Sequence, residues 1–156
     1  MKLSFITVSS RLPAWLEEVL ESYKKKLSYW FKIEVFVLKS TSLSRHEKLE
    51  KKTEESAAIH SKLLDNDYVI VCDERGIEVD SIKFANILNR VLGGGKKRLM
   101  VVVGGAFGLS DDVLSRADLK LSLSKMTMNH HIALAMACEQ VYRAMTILKG
   151  INYHND

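Results

Sequence analysis

Three places in the sequence combine residue types that can do chemistry. The first is the run Gly104-Gly105-Ala106-Phe107-Gly108, which directly follows the β-branched stretch Leu99–Val103 and precedes a helix start at Ser110-Asp111-Asp112. Glycines there permit positive φ and let backbone N–H and C=O groups approach a ligand with no Cβ in the way; a tight turn with no ligand would use them equally well. The loop lacks the lysine-serine/threonine ending of a P-loop and the dinucleotide spacing GxGxxG. Asp111 and Asp112 would repel phosphate at the following helix N-terminus, so a ligand that is not a polyphosphate fits better.

The second place is Leu121 to His131, reading Leu-Ser-Leu-Ser-Lys-Met-Thr-Met-Asn-His-His. Ser124, Thr127, Asn129 and the adjacent backbone can hydrogen-bond a heterocycle or a ribose, while Leu123, Met126 and Met128 supply apolar walls. The plainer alternative is a helix-capping loop with ordinary core methionines. His130 and His131 are adjacent and cannot share one helix face as metal ligands usually do, so no metal is expected. The third place is the C-terminal Glu139-Gln140-Val141-Tyr142-Arg143, followed by Tyr153-His154. At four-residue spacing, Arg143 can pair with Glu139 and do nothing more. No Ser-His-Asp arrangement is visible, and neither Cys72 nor Cys138 has an obvious activating partner.

The elements that must carry these residues follow from apolar periodicity. Strand-like runs fall at Leu3–Val8, Ile33–Leu38, Tyr68–Cys72, Leu99–Val103 and, more weakly, Leu119–Leu123. Helix-like stretches separate them: one with Pro13 in its first turn, a highly charged one over about Ser44–Leu64, and one over about Asp80–Leu92, capped by Asp80 or Ser81. A short one follows Ser110, and a long one spans about Ile132–Leu148, closed by Gly150. Strand then helix, five times, predicts an α/β domain whose mostly parallel sheet has helices on both faces. Tyr68–Cys72 and Leu99–Val103 do not alternate in polarity and are expected to be central. The charged segment Arg45–Glu55 is the one candidate boundary and reads as helix, which predicts a single domain over residues 1–156. In such a sheet, ligands bind at the carboxyl ends of the strands.

Composition narrows the class. Apolar content of 47% with only eight glycines and one proline excludes collagen-like and disordered chains. Two cysteines inside apolar runs suit reduced, buried thiols. The longest purely apolar run, Ile132–Cys138, falls far short of a bilayer span, and no secretory signal is visible, so a soluble cytoplasmic protein without membrane association is expected. The net charge of +4 is compatible with a nucleic-acid partner. There is no basic tail, so a folded surface would have to bind it.

Leu99-Met-Val-Val-Val-Gly-Gly-Ala-Phe-Gly-Leu109, Leu121-Ser-Leu-Ser-Lys-Met-Thr127, Glu139-Gln-Val-Tyr-Arg-Ala144 and Gly150-Ile-Asn-Tyr-His154, in this order and spacing, resemble the RlmH-type members of the SPOUT methyltransferases. With the N-terminal strand and the Pro13-Ala14-Trp15 helix start, the resemblance spans essentially the whole chain. It implies a C-terminal trefoil knot, a cofactor, S-adenosylmethionine (SAM), held by the knot's loops, and a homodimer with the target base entering between protomers. It implies methylation at N3 of a pseudouridine in 23S rRNA. The same resemblance places the cofactor against Cys72, Gly104, Leu123, Ser124, Lys125, Met126, Thr127 and Met128. Position 72 is more often leucine in this family, which makes Cys72 an apolar substitute rather than a nucleophile.

The chain departs from the family pattern at Met128 and Asn129, where an aromatic residue and a proline are common, and at Leu134, where an arginine is common. Arg143 and His154 are then the better catalytic candidates: His154 as base or proton relay, Tyr153 orienting the base, Arg143 stabilising an imide anion or holding a phosphate. A small chain with no added RNA-binding domain is expected to recognise the assembled ribosome better than naked RNA. Two other readings stay open at this level, a generic nucleotide-binding α/β protein and a ribosome-binding module without catalysis.

Overall fold

In a computed structural model, which describes residues 1–39 and 48–155, the chain alternates strand and helix throughout. The elements are β1 (Lys2–Val8), α1 (Ala14–Leu27), β2 (Lys32–Leu38), α2 (Lys48–His60), β3 (Asp67–Glu78), α3 (Ser81–Gly93), β4 (Arg98–Val103), α4 (Asp111–Arg116), β5 (Leu119–Ser122) and α5 (His130–Leu148). The strands form one five-stranded parallel sheet in the order β2-β1-β4-β3-β5. Residues 44–47, the expected start of the second helix and part of the charged segment, lie outside the described residues.

Period-two alternation along the strands builds a core on each face. Leu3 and Phe5, Ile70, and Leu99, Val101 and Val103 point to one side, against Leu16, Leu20, Phe84, Leu88, Leu134 and Val141 of α1, α3 and α5. Ile6 and Val8, Val69 and Val71, and Met100 and Val102 point to the other, against Ile59, Val113 and Leu114 of α2 and α4. Strand β4 occupies the centre of the sheet, as its unbroken apolar run requires. Among the described residues, no helix is long and apolar enough to cross a membrane.

Local chemistry sets the boundaries. Asp80 caps α3 by accepting from the Lys83 amide, and Ser110 accepts from Val113 at the start of α4. Asn129 accepts from the His131 amide at 2.8 Å, so α5 begins at His130, earlier than periodicity predicts. Pro13 stands at the N-cap of α1, just outside the first turn where it was expected. Gly150, at φ 63°, ends the last helix as expected, with the Ile151 amide reaching back to the Thr146 carbonyl.

The larger difference is in β3, which runs on to Glu78 where the apolar run stops at Cys72. Leu121 of β5 lies opposite both Cys72 and Ile77, so residues 73–76 bulge out of the ladder between them. Gly76 makes this possible: a Cβ there would stand 2.6 Å from the backbone C and O of Lys120.

Candidate active site

The carboxyl ends of β3 and β4, the bulge, and the loop from β5 to α5 enclose a cleft of about 610 Å³. Its position is the one that an open α/β sheet favours for ligands. Cys72, Gly104, Leu123, Ser124, Met126, Thr127 and Met128 all line it. Lys125 does not: its side chain is turned outward, with Nζ 3.7 Å from Glu78 Oε2. The glycine loop closes on itself through a Gly105–Gly108 bridge, and Gly108 takes φ 73°. A Cβ on Gly104 would meet Leu109 Cγ at 2.8 Å, so the chain can lie this low on the core at position 104 only as glycine.

The second wall is shaped by its own hydroxyls. Ser122 Oγ donates to the Ser124 carbonyl at 3.0 Å, and Ser124 Oγ accepts from the Met126 amide at 3.0 Å. Thr127 Oγ1 donates to Glu74 Oε2 at 3.1 Å, clasping this wall to the β3 bulge. Periodicity did not single out Asp73, Glu74 or Arg75, which line the cleft as well. The polar run ending in Gly76, immediately after a buried strand, was the available signal. Arg75 donates to Asp73 from Nε at 2.9 Å and from Nη2 at 3.0 Å, which holds the Asp73 carboxyl below its usual range and keeps it ionised.

At the start of α5, burial and the neighbouring His131 push the His130 pKa down. Ser9 Oγ donates to the Arg11 carbonyl, so the 2.9 Å contact with His131 Nε2 is a bond donated by the ring. Leu134, at the family's arginine position, is fully buried in the core. The Cys72 thiol is pushed up to about 12 by desolvation and Cys138 higher still, which suits inert thiols. Among the described residues, no three His, Cys, Asp or Glu side chains gather as a metal-ligand set.

Arg143, Tyr153 and His154 come together, and apart from the cleft. Arg143 donates to Glu139 Oε1 from Nε at 2.9 Å and from Nη2 at 2.6 Å, the pairing its spacing predicted. It does more: Nη1 lies 3.2 Å from His154 Nδ1, and the guanidinium covers the Tyr153 ring at 4.8 Å. Since Arg143 can only donate, His154 accepts at Nδ1 and carries its proton on Nε2. Tyr153 donates to Glu139 at 3.3 Å, and Tyr142, Tyr23 and Trp30 pack alongside. Burial and the bond with Tyr153 push the Tyr23 hydroxyl pKa well up. Arg143 follows the cleft-lining His130 by 13 positions on one helix, about 20 Å along its axis.

The residues of the cleft suit SAM. Leu123, Met126, Met128 and Leu109 offer apolar walls to an adenine, and the carboxylates of Asp73 and Glu74 match a sulfonium and an ammonium. Two solved structures share the fold. The tRNA (m1G37) methyltransferase from Aquifex aeolicus superposes with a TM-score of 0.53 at 17% identity, covering 99% of this chain and 74% of that one. A methyltransferase from Legionella pneumophila, solved with its cofactor SAM bound, gives a TM-score of 0.50 at 10% identity, covering 93% and 66%. In sequence, the ribosomal RNA large subunit methyltransferase H of Bdellovibrio bacteriovorus is 43% identical over 155 residues, 99% of each chain. A family model described as "Predicted SPOUT methyltransferase" matches residues 1–154; with that match and this identity, the chain whose cleft is described above belongs to the SPOUT methyltransferases, among the relatives of ribosomal RNA large subunit methyltransferase H.

Proposed function

We propose that this chain is a SAM-dependent methyltransferase acting at N3 of a pseudouridine in 23S rRNA, on the assembled ribosome and as a homodimer. The observation that carries the reading is the cleft itself, in which seven of the eight residues expected around the cofactor meet. Bound there, SAM supplies a methyl group on a sulfonium, open to in-line attack. The chain's task is then mainly alignment. Cys72, Leu123, Met126 and Met128 supply apolar contact, Gly104 gives backbone access, and Ser124 and Thr127 hold the wall in shape. Lys125, directed at Glu78, acts in this reading through its backbone.

The acceptor nitrogen is part of an imide and must lose a proton. The cluster of Arg143, Tyr153 and His154 is suited to that task. His154 Nδ1 is held by Arg143, so His154 takes up the imide proton on leaving that contact, and Arg143 stabilises the anion left behind as a donor. A separation of about 20 Å along one helix keeps this group from the cleft of its own chain. A second copy, presenting its cluster to this cleft, completes the site, and that is the support for a homodimer. The C-terminal knot belongs to the same reading. It is supported by the path of the last segment, which leaves the sheet at edge strand β5 and returns along α5 to pack on both α3 and α1.

Single-turnover transfer of labelled methyl from SAM to ribosomes lacking the modification tests the reading, with mass-spectrometric mapping of the product nucleotide. Arg143→Ala and His154→Ala are expected to slow the chemical step about 100-fold or more while SAM binding persists. Near-wild-type rates in both would remove the cluster from the mechanism. Absence of transfer by the wild-type chain would favour the module without catalysis.

A further inference from the structure

In a parallel sheet with returning helices, strand N-termini and helix C-termini share one edge, here the edge opposite the cleft. That edge is basic. Lys2, Lys32 and Arg98 open β1, β2 and β4, and the register sets Lys2 directly beside both of the others. Lys24, Lys25 and Lys26 fill the last turn of α1, Arg90 lies in that of α3, Lys96 and Lys97 precede β4, and Lys149 follows α5. The carboxylates nearby are largely spent: Glu34 on Lys2, Asp67 on Arg98, Asp118 on Arg116, Glu21 on Lys24. Lys25, Lys32 and Lys97 are exposed and make no ion pair among the described residues. Glu34 and Asp67 answer Lys2 and Arg98, whereas Lys32, beside Lys2 in the register, has no carboxylate within ion-pair distance among the described residues. The opposite edge carries Asp73, Glu74, Glu78, Asp111 and Asp112 near the cleft, with Arg75 and Lys125 paired to two of them and Lys52 lining the cleft as well.

Two further features say what the anion is. Tyr29 lies among these lysines with 85% of its surface exposed, a ring open to stacking. Arg90 and Lys96, with Tyr68, line a small cleft of about 290 Å³ on the same edge. Cations interleaved with an exposed aromatic ring suit phosphodiesters flanking an unstacked base. A lipid surface would call for an apolar wedge where Tyr29 stands among charges.

We propose that the basic edge formed by Lys25, Lys32, Lys97, Arg90 and Lys96, with Tyr29 as a stacking ring, is a docking surface for the ribosomal RNA backbone. The inference rests on the rRNA-methyltransferase reading and adds to it the face on which the substrate sits. The cluster of Arg143, Tyr153 and His154 lies toward the C-terminal end of α5, hence toward this same edge. RNA seated on the lysines therefore approaches the base-handling group of the chain that holds it.

The test compares the wild-type chain with K25Q/K32Q/K97Q, its K25R/K32R/K97R counterpart and Tyr29→Ala. Each is measured for SAM binding by calorimetry, for co-sedimentation with ribosomes across a salt series and with phosphatidylglycerol vesicles, and for methyl transfer. The glutamine variant is expected to bind SAM as the wild type does and to keep kcat, but to weaken ribosome binding about tenfold or more near 0.1 M salt. Its salt slope should fall by about 2 to 3, since each of three phosphate contacts contributes about 0.7 to 0.9. The arginine variant should restore both, and Tyr29→Ala should weaken binding without changing the slope. Unchanged ribosome affinity and slope in the glutamine variant would overturn the inference, as would a defect confined to anionic vesicles of phosphatidylglycerol. A wild-type chain that binds ribosomes through these lysines yet transfers no methyl would uphold the surface and overturn the enzymatic reading instead.

Discussion

Thr127 and Glu74 make the contact on which the cleft's shape turns. The hydroxyl of one wall donates to the carboxylate of the other, and both groups are exposed enough that their bond adds little to overall stability. Thr127→Val keeps the β-branched shape and removes only the donor. It is expected to raise the KM for SAM by about twofold to fivefold, the range for a bond worth up to about 1 kcal/mol once SAM covers it, with kcat and thermal stability close to wild type. Titration calorimetry and steady-state kinetics check it; an equal loss in kcat would mean that the hydroxyl acts in the chemical step. Leu134 and Asn129 illustrate what residue-level reading can do with departures from a family pattern. Asn129 keeps a defined task, capping α5, while also lining the cleft, whereas Leu134 is absorbed into the core and does not reach it.

At the scale of elements, most of the fold was legible because each face of the sheet writes its own alternation into the strands. Leu99 to Val103 divides cleanly between two cores, and caps such as Asp80 and Ser110 lie where hydrogen-bonding side chains precede apolar periodicity. The continuation of β3 was not legible. Asp73-Glu74-Arg75-Gly76 has turn composition, and only pairing with the short edge strand β5 makes its far side a strand. Gly76 therefore bears more than a turn glycine would. Gly76→Ala is expected to destabilise the chain by about 2 kcal/mol or more, since its methyl collides with backbone rather than with a side chain able to move. Urea unfolding would measure this, and SAM binding should weaken with it because the bulge forms one wall of the cleft. A cost below about 0.5 kcal/mol would show that β5 can slide outward freely.

For the whole molecule, the separation of the cleft from the Arg143 cluster decides what one chain can do alone. The arithmetic of a 19-residue helix already places the two at opposite ends, yet adjacency in motif order hides it. On the proposed reading, a complete site draws on two chains, and complementation follows. A cleft-defective variant such as Gly104→Val and the cluster variant Arg143→Ala are each expected to be inactive alone. Mixed under conditions that exchange subunits, they should recover about a quarter of wild-type activity, because half the dimers then hold one intact composite site. No recovery with proven exchange would confine catalysis to single chains. The aromatic stack beside the cluster offers an independent view of the same end. Trp30 touches Tyr142, which in turn touches Tyr153, whereas Trp15 lies half-exposed at the start of α1. Once Trp15 is replaced by phenylalanine, the emission of the remaining indole becomes an unlabelled optical gauge of whether the carboxyl-terminal tail is seated.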